Sequence, residues 1–202
     1  MNLPLCCAKT WQLRNQLRAA IDLAFPELNP QLTDLTQPTA LRFLQANPTP
    51  ESILRNGRQR FLDTWQPRRR CGQWRPETFQ QLYDLAQHSI GLTAPYRIDQ
   101  FEITALAHDL ADALAKQQLW LTQAIELLDH RRDFQRLMQL PRIGKPTAAA
   151  ILTAIGDIDA YTKGKQLVKL AGLAIRLCES GSSIRKLPEI SHVGSAYLRY
   201  WL

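Results

Sequence analysis

The apolar positions of this chain recur with the spacing of α-helices. Leu13, Leu17 and Ile21 follow one another at four-residue intervals, which places them on one face of a helix. Pro26 interrupts the pattern, and proline cannot continue a helical hydrogen-bond ladder. We therefore predict a first amphipathic helix over residues 11–25.

Shorter helices are predicted between residues 38 and 90. Pro38 opens the first of two helices before residue 65. The tripeptide Thr-Pro-Glu at 49–51 gives the second an N-cap, a proline at the first helical position and an acid in the first turn. Residues 67–72 are basic and flanked by proline and glycine, which favours an exposed turn. The apolar spacing of residues 79–86 predicts a further helix.

A long helix is predicted in the middle of the chain, because residues 98–140 contain neither proline nor glycine. Its apolar positions advance in alternating steps of four and three residues, the spacing of a coiled-coil seam, with polar residues at Gln117 and Arg131. Polar seam residues can set the register and the number of partner helices. Two interpretations remain open: the helix pairs with a second copy of the chain, or its apolar face packs within the protein.

These patterns together predict an all-α fold in three parts. The parts are a helical segment over residues 1–95, a long coiled-coil-like helix over 96–140 and a small C-terminal helical domain over 141–202. No apolar run approaches the roughly 20 residues that cross a bilayer, so no membrane span is expected. The first residues lack the basic and apolar regions of a secretory signal, which predicts a cytoplasmic protein.

Charge distribution points to a polyanionic partner. The 202 residues carry a formal net charge of +7, with a sequence pI near 9.5. This charge is divided as +5 for residues 1–70, −3 for 71–141 and +5 for 142–202. We therefore expect the two basic ends to make any contact with nucleic acid. The cysteines and histidines are too scattered for a metal site that is local in sequence, so no metal ligands are nominated.

Residues 140–156 have the outline of a helix-hairpin-helix, in which a tight turn ends at Gly144 and an alanine-rich helix follows. N–H groups exposed at a helix N-terminus bind phosphate whatever the base sequence. Gly144, Lys145 and Thr147 are therefore predicted to contact DNA. The motif normally has two glycines around its apolar residue, and Arg142 stands at the first of these positions. The alternative is a simple αα-hairpin whose alanine-rich helix packs closely in a core.

Residues 172–195 combine small hydroxylated residues, glycine and cations. A Ser-Gly pair begins at Ser180, and a serine on such a loop can attack a phosphodiester when a base, a metal or neighbouring cations activate it. Arg176, Arg185 and Lys186 are candidates for stabilising charge on the phosphate. The alternative interpretation is a solvated loop without a catalytic role.

The last third of the chain carries a series of short motifs in a characteristic order. They are Leu140-Pro141-x-Ile143-Gly144-x-x-Thr147-Ala148, Ile155-Gly156-Asp157, Lys165-Gln166-Leu167, Ala171-Gly172-Leu173, Ser180-Gly181, Ile190-Ser191, Gly194 and Leu198-Arg199. This order resembles the C-terminal transposase domain of the insertion sequence 110/116/902 family, relatives of the Piv-type DNA invertases. The earlier part of the chain is similar to the helical region that precedes this domain, through Asn15-Gln16-Leu17-Arg18, Phe25-Pro26-Glu27-Leu28, Thr39-Ala40-Leu41 and Asn47-Pro48-Thr49-Pro50.

The resemblance implies a DNA recombinase with two cooperating sites. In that family an N-terminal domain similar to the Holliday-junction resolvase nucleases holds Mg²⁺ with an Asp-Glu-Asp-Asp cluster. A serine in the C-terminal domain attacks the DNA phosphate and forms a covalent phosphoserine, and Ser180 matches that serine. Family members also use a structured guide RNA and assemble as homo-oligomers through the long helix. A structured guide RNA and self-association through the long helix are therefore expected partners here, whereas Mg²⁺ is implied for the full-length family.

This chain resembles a truncated copy of such a transposase, because no motif of the acidic nuclease-like domain is recognisable in it. The resemblance therefore predicts a mobile-element protein that acts in DNA transposition or site-specific recombination, binds DNA and holds no metal of its own. The alternative is a non-catalytic DNA- or RNA-binding and dimerisation module derived from a transposase.

Overall fold

A computed structural model of the chain describes residues 3–65, 76–91, 98–176 and 189–202. Most of these residues are helical, so the predicted all-α class is confirmed. The helices are α1 (Leu3–Ala24), α2 (Pro38–Ala46), α3 (Pro50–Leu54), α4 (Arg58–Trp65), α5 (Pro76–Gln87), α6 (Ile98–Leu128), α7 (Arg132–Met138), α8 (Lys145–Ile155), α9 (Gly164–Leu170) and α10 (Ala196–Trp201). Two short 3₁₀ helices lie at Pro26–Leu28 and Ile158–Ala160.

The chain forms two compact units. The N-terminal unit is residues 8–115, and the C-terminal unit is residues 116–202 together with residues 1–7. The helices α1 and α6 therefore each contribute residues to both units. The division of the sequence at residues 95 and 140 into three parts stays a prediction.

The core of the N-terminal unit is built around aromatic side chains. Phe43 is fully buried, and its ring makes edge-to-face contacts with Trp65, Phe61 and Phe79 at centroid distances of 5.2, 6.2 and 6.0 Å. Such pairs add to the free energy gained from burying the rings. The apolar face predicted for the first helix, represented by Leu17, is fully buried in the same core.

The first helix and the short helices differ in part from their predictions. The helix α1 begins at Leu3, earlier than the predicted residue 11. Three helices lie between residues 38 and 65 where two were predicted, because Gly57 at a φ of +76° turns the chain between α3 and α4. The predicted cap of α3 is confirmed at Thr49, whose backbone N–H donates to the Ser52 hydroxyl over 3.1 Å. The predicted turn at residues 67–72 lies outside the described residues.

The long helix was predicted to run to residue 140, and this was wrong: α6 ends at Leu128. Arg131 adopts an extended conformation with φ −80° and ψ 140°, and its guanidinium donates to both carboxylate oxygens of Asp133 over 3.1 and 2.8 Å. A new helix, α7, begins there and buries Phe134 completely against the alanine face of α8. Tertiary packing therefore ends a helix that no proline or glycine interrupts.

The C-terminal unit packs around α8, which contacts α7 and α10. Ala148 and Ala149 are fully buried and face Phe134 and Ala124. The other side of α8 buries Ile151 with residues of α9 and α10. Small alanine side chains let neighbouring helices approach closely, which explains why the hairpin helix is rich in alanine.

One pair of short strands was not predicted. The strands β1 (Ile175–Arg176) and β2 (Glu189–Ile190) are antiparallel, with Ile175 opposite Ile190. Two residues give too little alternation for a periodicity signal. None of the helices in the described ranges combines the length and the hydropathy needed to span a bilayer.

Candidate nucleic-acid interface

The predicted hairpin is formed by α7, the turn at residues 139–144 and α8. Gly144 is the N-cap of α8 in an extended conformation. The first bond of the helix runs from the Ala148 N–H to the Gly144 carbonyl over 3.0 Å, so the N–H groups of Lys145 and Thr147 precede the helical ladder. Gly144 and Lys145 are exposed and Thr147 is half-buried. The turn therefore presents the end of a helix dipole that attracts anions.

Arg142 occupies the position where this motif normally has its first glycine. Its φ is +71°, in the left-handed region that disfavours side chains with a Cβ. The structure therefore keeps the backbone conformation that glycine would suit, and the arginine adds a cation to the exposed turn.

Lys145 has a carboxylate neighbour that the sequence did not indicate. Its ammonium lies 3.0 Å from Asp129 Oδ1, in the turn after α6. The two side chains are 55% and 38% exposed, respectively, and exposed ion pairs contribute little to stability. A phosphate can therefore compete with Asp129 for this ammonium at low cost.

The second predicted element is the segment that carries Ser180. Ser180, Arg185 and Lys186 lie outside the described residues, between β1 and β2. Arg176 lies in β1, where its backbone pairs with Glu189 of β2. The strand pair thus joins the two ends of the segment that contains the candidate nucleophile.

A set of backbone hydrogen bonds holds these ends in place. The Ser191 N–H donates to the Ala174 carbonyl over 2.8 Å, and the His192 N–H donates to the Gly172 carbonyl over 3.0 Å. The Ser195 N–H donates to the carbonyl of Leu170, the last residue of α9, over 2.7 Å. The motif around residue 171 therefore meets the motifs around residues 190 and 194, about 20 residues later in the sequence, at the base of the serine segment.

Two glycines allow these two segments of the chain to approach each other closely. Gly172 has a φ of +68°, and a Cβ there would lie 2.6 Å from Arg199 Nη1. A Cβ on Gly194 would lie 2.4 Å from the Leu170 carbonyl oxygen and 2.6 Å from the Gly172 nitrogen. Only glycine fits at either position without a rearrangement.

Arg199 makes a structural contact that the sequence did not predict. Its Nη1 donates to the Ala171 carbonyl over 2.8 Å, and Ala171 is fully buried. The sequence marked the Leu198-Arg199 pair only through the order of motifs. Its contact with a residue 28 positions away is a product of the fold.

The titration of nearby groups argues against a role for Tyr197 as a base. Burial, with the charge of Cys7, raises the pKa of Tyr197 to about 12. Burial and the neighbouring Cys6 also raise the pKa of the Cys7 thiol, and Gln117 Nε2 donates to its sulfur over 3.2 Å. A phenol and a thiol in this state stay protonated at neutral pH. Within the described ranges, no three metal-ligating side chains come together.

Comparison with known proteins connects this geometry to a family. Residues 134–202 match the model of the Transposase IS116/IS110/IS902 family. The resemblance is therefore confirmed over the hairpin, the strand pair and the final helix. The likeness of the region before residue 134 to that family stays a prediction.

Two curated relatives carry the name pilin gene-inverting protein. The chain is 40% identical to the one from Moraxella bovis over 83 residues, and 37% identical to the one from Moraxella lacunata over the same length. Each match covers 41% of this chain and 25% of the relative. The match thus spans about a quarter of the length of these relatives. No solved structure is significantly similar to the chain.

Proposed function

We propose that this protein acts in DNA transposition or site-specific recombination, with its C-terminal unit making the DNA contacts. The observation that carries the proposal is that the family match at 134–202 covers two features of the fold. One is the hairpin with the exposed start of α8, and the other is the strand pair that joins the two ends of the Ser180 segment. The pilin gene-inverting proteins, which are named for a DNA rearrangement, are similar over part of the chain. Their similarity supports the same class of substrate.

The hairpin binds the DNA backbone in this proposal. The N–H groups at the start of α8 and the Lys145 ammonium contact phosphate oxygens, and Thr147 adds a hydroxyl on the first turn. Such contacts position a protein on duplex DNA without reading the bases. To bind phosphate, Lys145 must leave Asp129. The free-energy cost is small, because an exposed ion pair of this kind contributes little to stability.

Ser180 is the proposed nucleophile. Its oxygen forms a bond to phosphorus as one P–O bond of the DNA backbone breaks, and the released deoxyribose oxygen takes up a proton while the serine proton passes to a base. Arg176, Arg185 and Lys186 stabilise the charge that develops on the phosphate. The covalent phosphoserine retains the bond energy needed to rejoin strands.

Mg²⁺, a guide RNA and self-association belong to the same proposal. The described residues form no cluster of three metal-ligating side chains, so no step is assigned to a metal held by them. The seam positions Leu110, Ala113 and Ala124 of α6 are buried within the protein, so self-association through α6 rests on the resemblance. The guide RNA rests on the resemblance alone.

A search for a covalent protein–DNA adduct tests the proposed chemistry. Purified chain is mixed with duplex DNA and Mg²⁺, and the products are separated under denaturing conditions. We expect an adduct with the wild type and with Ser182→Ala, and none with Ser180→Ala. An adduct of equal yield in Ser180→Ala would show that another group is the nucleophile. DNA binding without any adduct would favour the non-catalytic binding and dimerisation module.

A further inference from the structure

The helix α9 carries a row of lysines that neither the hairpin nor the serine segment uses. We propose that Lys163, Lys165 and Lys169 form a second contact with DNA, made to the phosphate backbone of the duplex. This inference rests on the proposed function of the C-terminal unit as a DNA-binding unit. It adds a surface to the one expected at the hairpin.

The burial pattern of α9 directs these lysines outward. Leu170 packs against the cluster formed by Ile151, Ala171 and Leu198. Lys163 at the N-cap, together with Lys165 and Lys169 one helical turn apart, is exposed. Residues four apart lie on the same side of a helix, so Lys165 and Lys169 present their ammonium groups to the same partner.

The charge of this part of the chain is of one sign. Residues 160–176 contain four basic residues and no acidic residue. Within the described part of the chain, none of Lys163, Lys165 and Lys169 forms a salt bridge, whereas Lys145 pairs with Asp129. Among the described residues, a phosphate therefore has no carboxylate to displace from these lysines. The energetic cost of binding there is lower than at the hairpin.

The position of α9 is fixed by the same contacts that hold the base of the serine segment. The Ser195 N–H donates to the carbonyl of Leu170, and Arg199 donates to that of Ala171, directly after the helix. Because these bonds fix the end of α9, the lysines of this helix start from a fixed position. DNA bound by this row is thereby held in a constant position relative to the base of the segment that contains Ser180.

The chemistry of the exposed face favours duplex DNA over a single strand. The exposed residues beside the lysines are Thr162, Gly164, Gln166 and Val168, and none of them has an aromatic side chain that could stack on an unpaired base. Proteins that bind single strands combine cations with aromatic side chains on which bases stack. Lysine is a flexible point charge that suits a phosphate and does not read a base edge by bidentate hydrogen bonds.

The test compares two double variants that remove the same charge. Lys165→Gln with Lys169→Gln neutralises the proposed row, and Lys9→Gln with Lys116→Gln neutralises two exposed lysines elsewhere. Binding to a short duplex DNA is measured over a series of salt concentrations. Each lost phosphate contact reduces the slope of log affinity against log salt by about 0.9. We expect the first variant to lose about 2 from the slope and the second to keep the wild-type slope.

The outcomes separate this inference from the proposed function. Wild type that binds no duplex DNA would overturn both. Wild type that binds DNA, with an unchanged slope in the Lys165/Lys169 variant or an equal loss in the control, would overturn the α9 contact alone. Loss confined to single-stranded DNA would also overturn it. The change of both lysines to arginine is expected to keep the slope, because it preserves both charges, and a loss in this variant too would show that the effect does not depend on charge.

Discussion

Arg199 donates a hydrogen bond from Nη1 to the carbonyl oxygen of Ala171, and this bond joins α10 to the end of α9. Because Ala171 is fully buried, Arg199→Ala leaves a desolvated acceptor without its partner. We expect the free energy of unfolding to fall by about 1–3 kcal/mol. Urea denaturation measures the loss, and faster amide exchange at Gly172 and Ser195 would locate it. An unchanged free energy of unfolding would show that the bond is not significant in solution.

Gly172 and Gly194 are predicted to be intolerant of a Cβ. Gly172→Ala combines a φ of +68° with a contact of 2.6 Å to Arg199 Nη1, and we expect it to destabilise the protein by about 2–4 kcal/mol. Gly164→Ala is the matched control, since nothing lies within 4 Å of a Cβ there. It is expected to change stability by less than about 1 kcal/mol. Equal melting temperatures for the Gly172 and Gly164 variants would contradict this account.

Arg142 is predicted to be replaceable by glycine. Its φ of +71° disfavours a Cβ, so Arg142→Gly relieves backbone strain, while Arg142→Ala removes the same side chain and keeps the strain. We expect the glycine variant to be more stable than the alanine variant by about 1 kcal/mol, after the entropy of glycine in the unfolded chain is subtracted. Thermal unfolding of the pair measures this difference. An alanine variant as stable as the glycine variant would exclude strain at this turn.

Glu27 is predicted to make the N-terminal unit sensitive to acid. Its carboxylate accepts hydrogen bonds from the Ser89 hydroxyl at 2.8 Å and from the Ile90 N–H at 2.9 Å. Burial alone would raise the pKa of Glu27, but these hydrogen bonds outweigh it and hold the pKa below its ordinary value of 4.5. The charged form therefore stabilises the fold above that value, and the stabilisation is lost as the pH falls through the lowered pKa.

The corresponding variant is Glu27→Gln. We expect it to be less stable than the wild type at neutral pH by about 1 kcal/mol or less, because the site is partly open to solvent. Its stability should also change less between neutral pH and about pH 3. Glu126→Gln, at an exposed position of α6, serves as the control. Parallel pH profiles for Glu27→Gln and the wild type would contradict the assignment.

Local patterns in the sequence predicted the existence and type of most helices, but not where the long helix ends. The N-cap at Thr49 depends on neighbouring residues and was predicted correctly. The end of α6 depends on the burial of Phe134 against α8. No proline or glycine near residue 128 indicates that the helix ends there. The long-range contact of Arg199 with Ala171 was invisible for the same reason. The order of motifs identified the family relationship without indicating that these residues meet.

The candidate site was also predicted only in part. Gly144 and Lys145 lie at the exposed start of α8, as the helix-hairpin-helix pattern indicated. The pairing of Lys145 with Asp129 was not predictable, because it depends on the break after α6. The assignment of Ser180 stays a prediction, since it lies outside the described residues.

The salt dependence of duplex DNA binding by the full chain tests the central claim most directly. Each phosphate that the protein neutralises contributes about −0.9 to the slope of log affinity against log salt. With contacts at the hairpin, at α9 and at the serine segment, we predict a linear plot with a slope steeper than about −3. The slope should become shallower by about 1 in Lys145→Gln. Absence of binding, or an affinity that does not change with salt, would contradict the account.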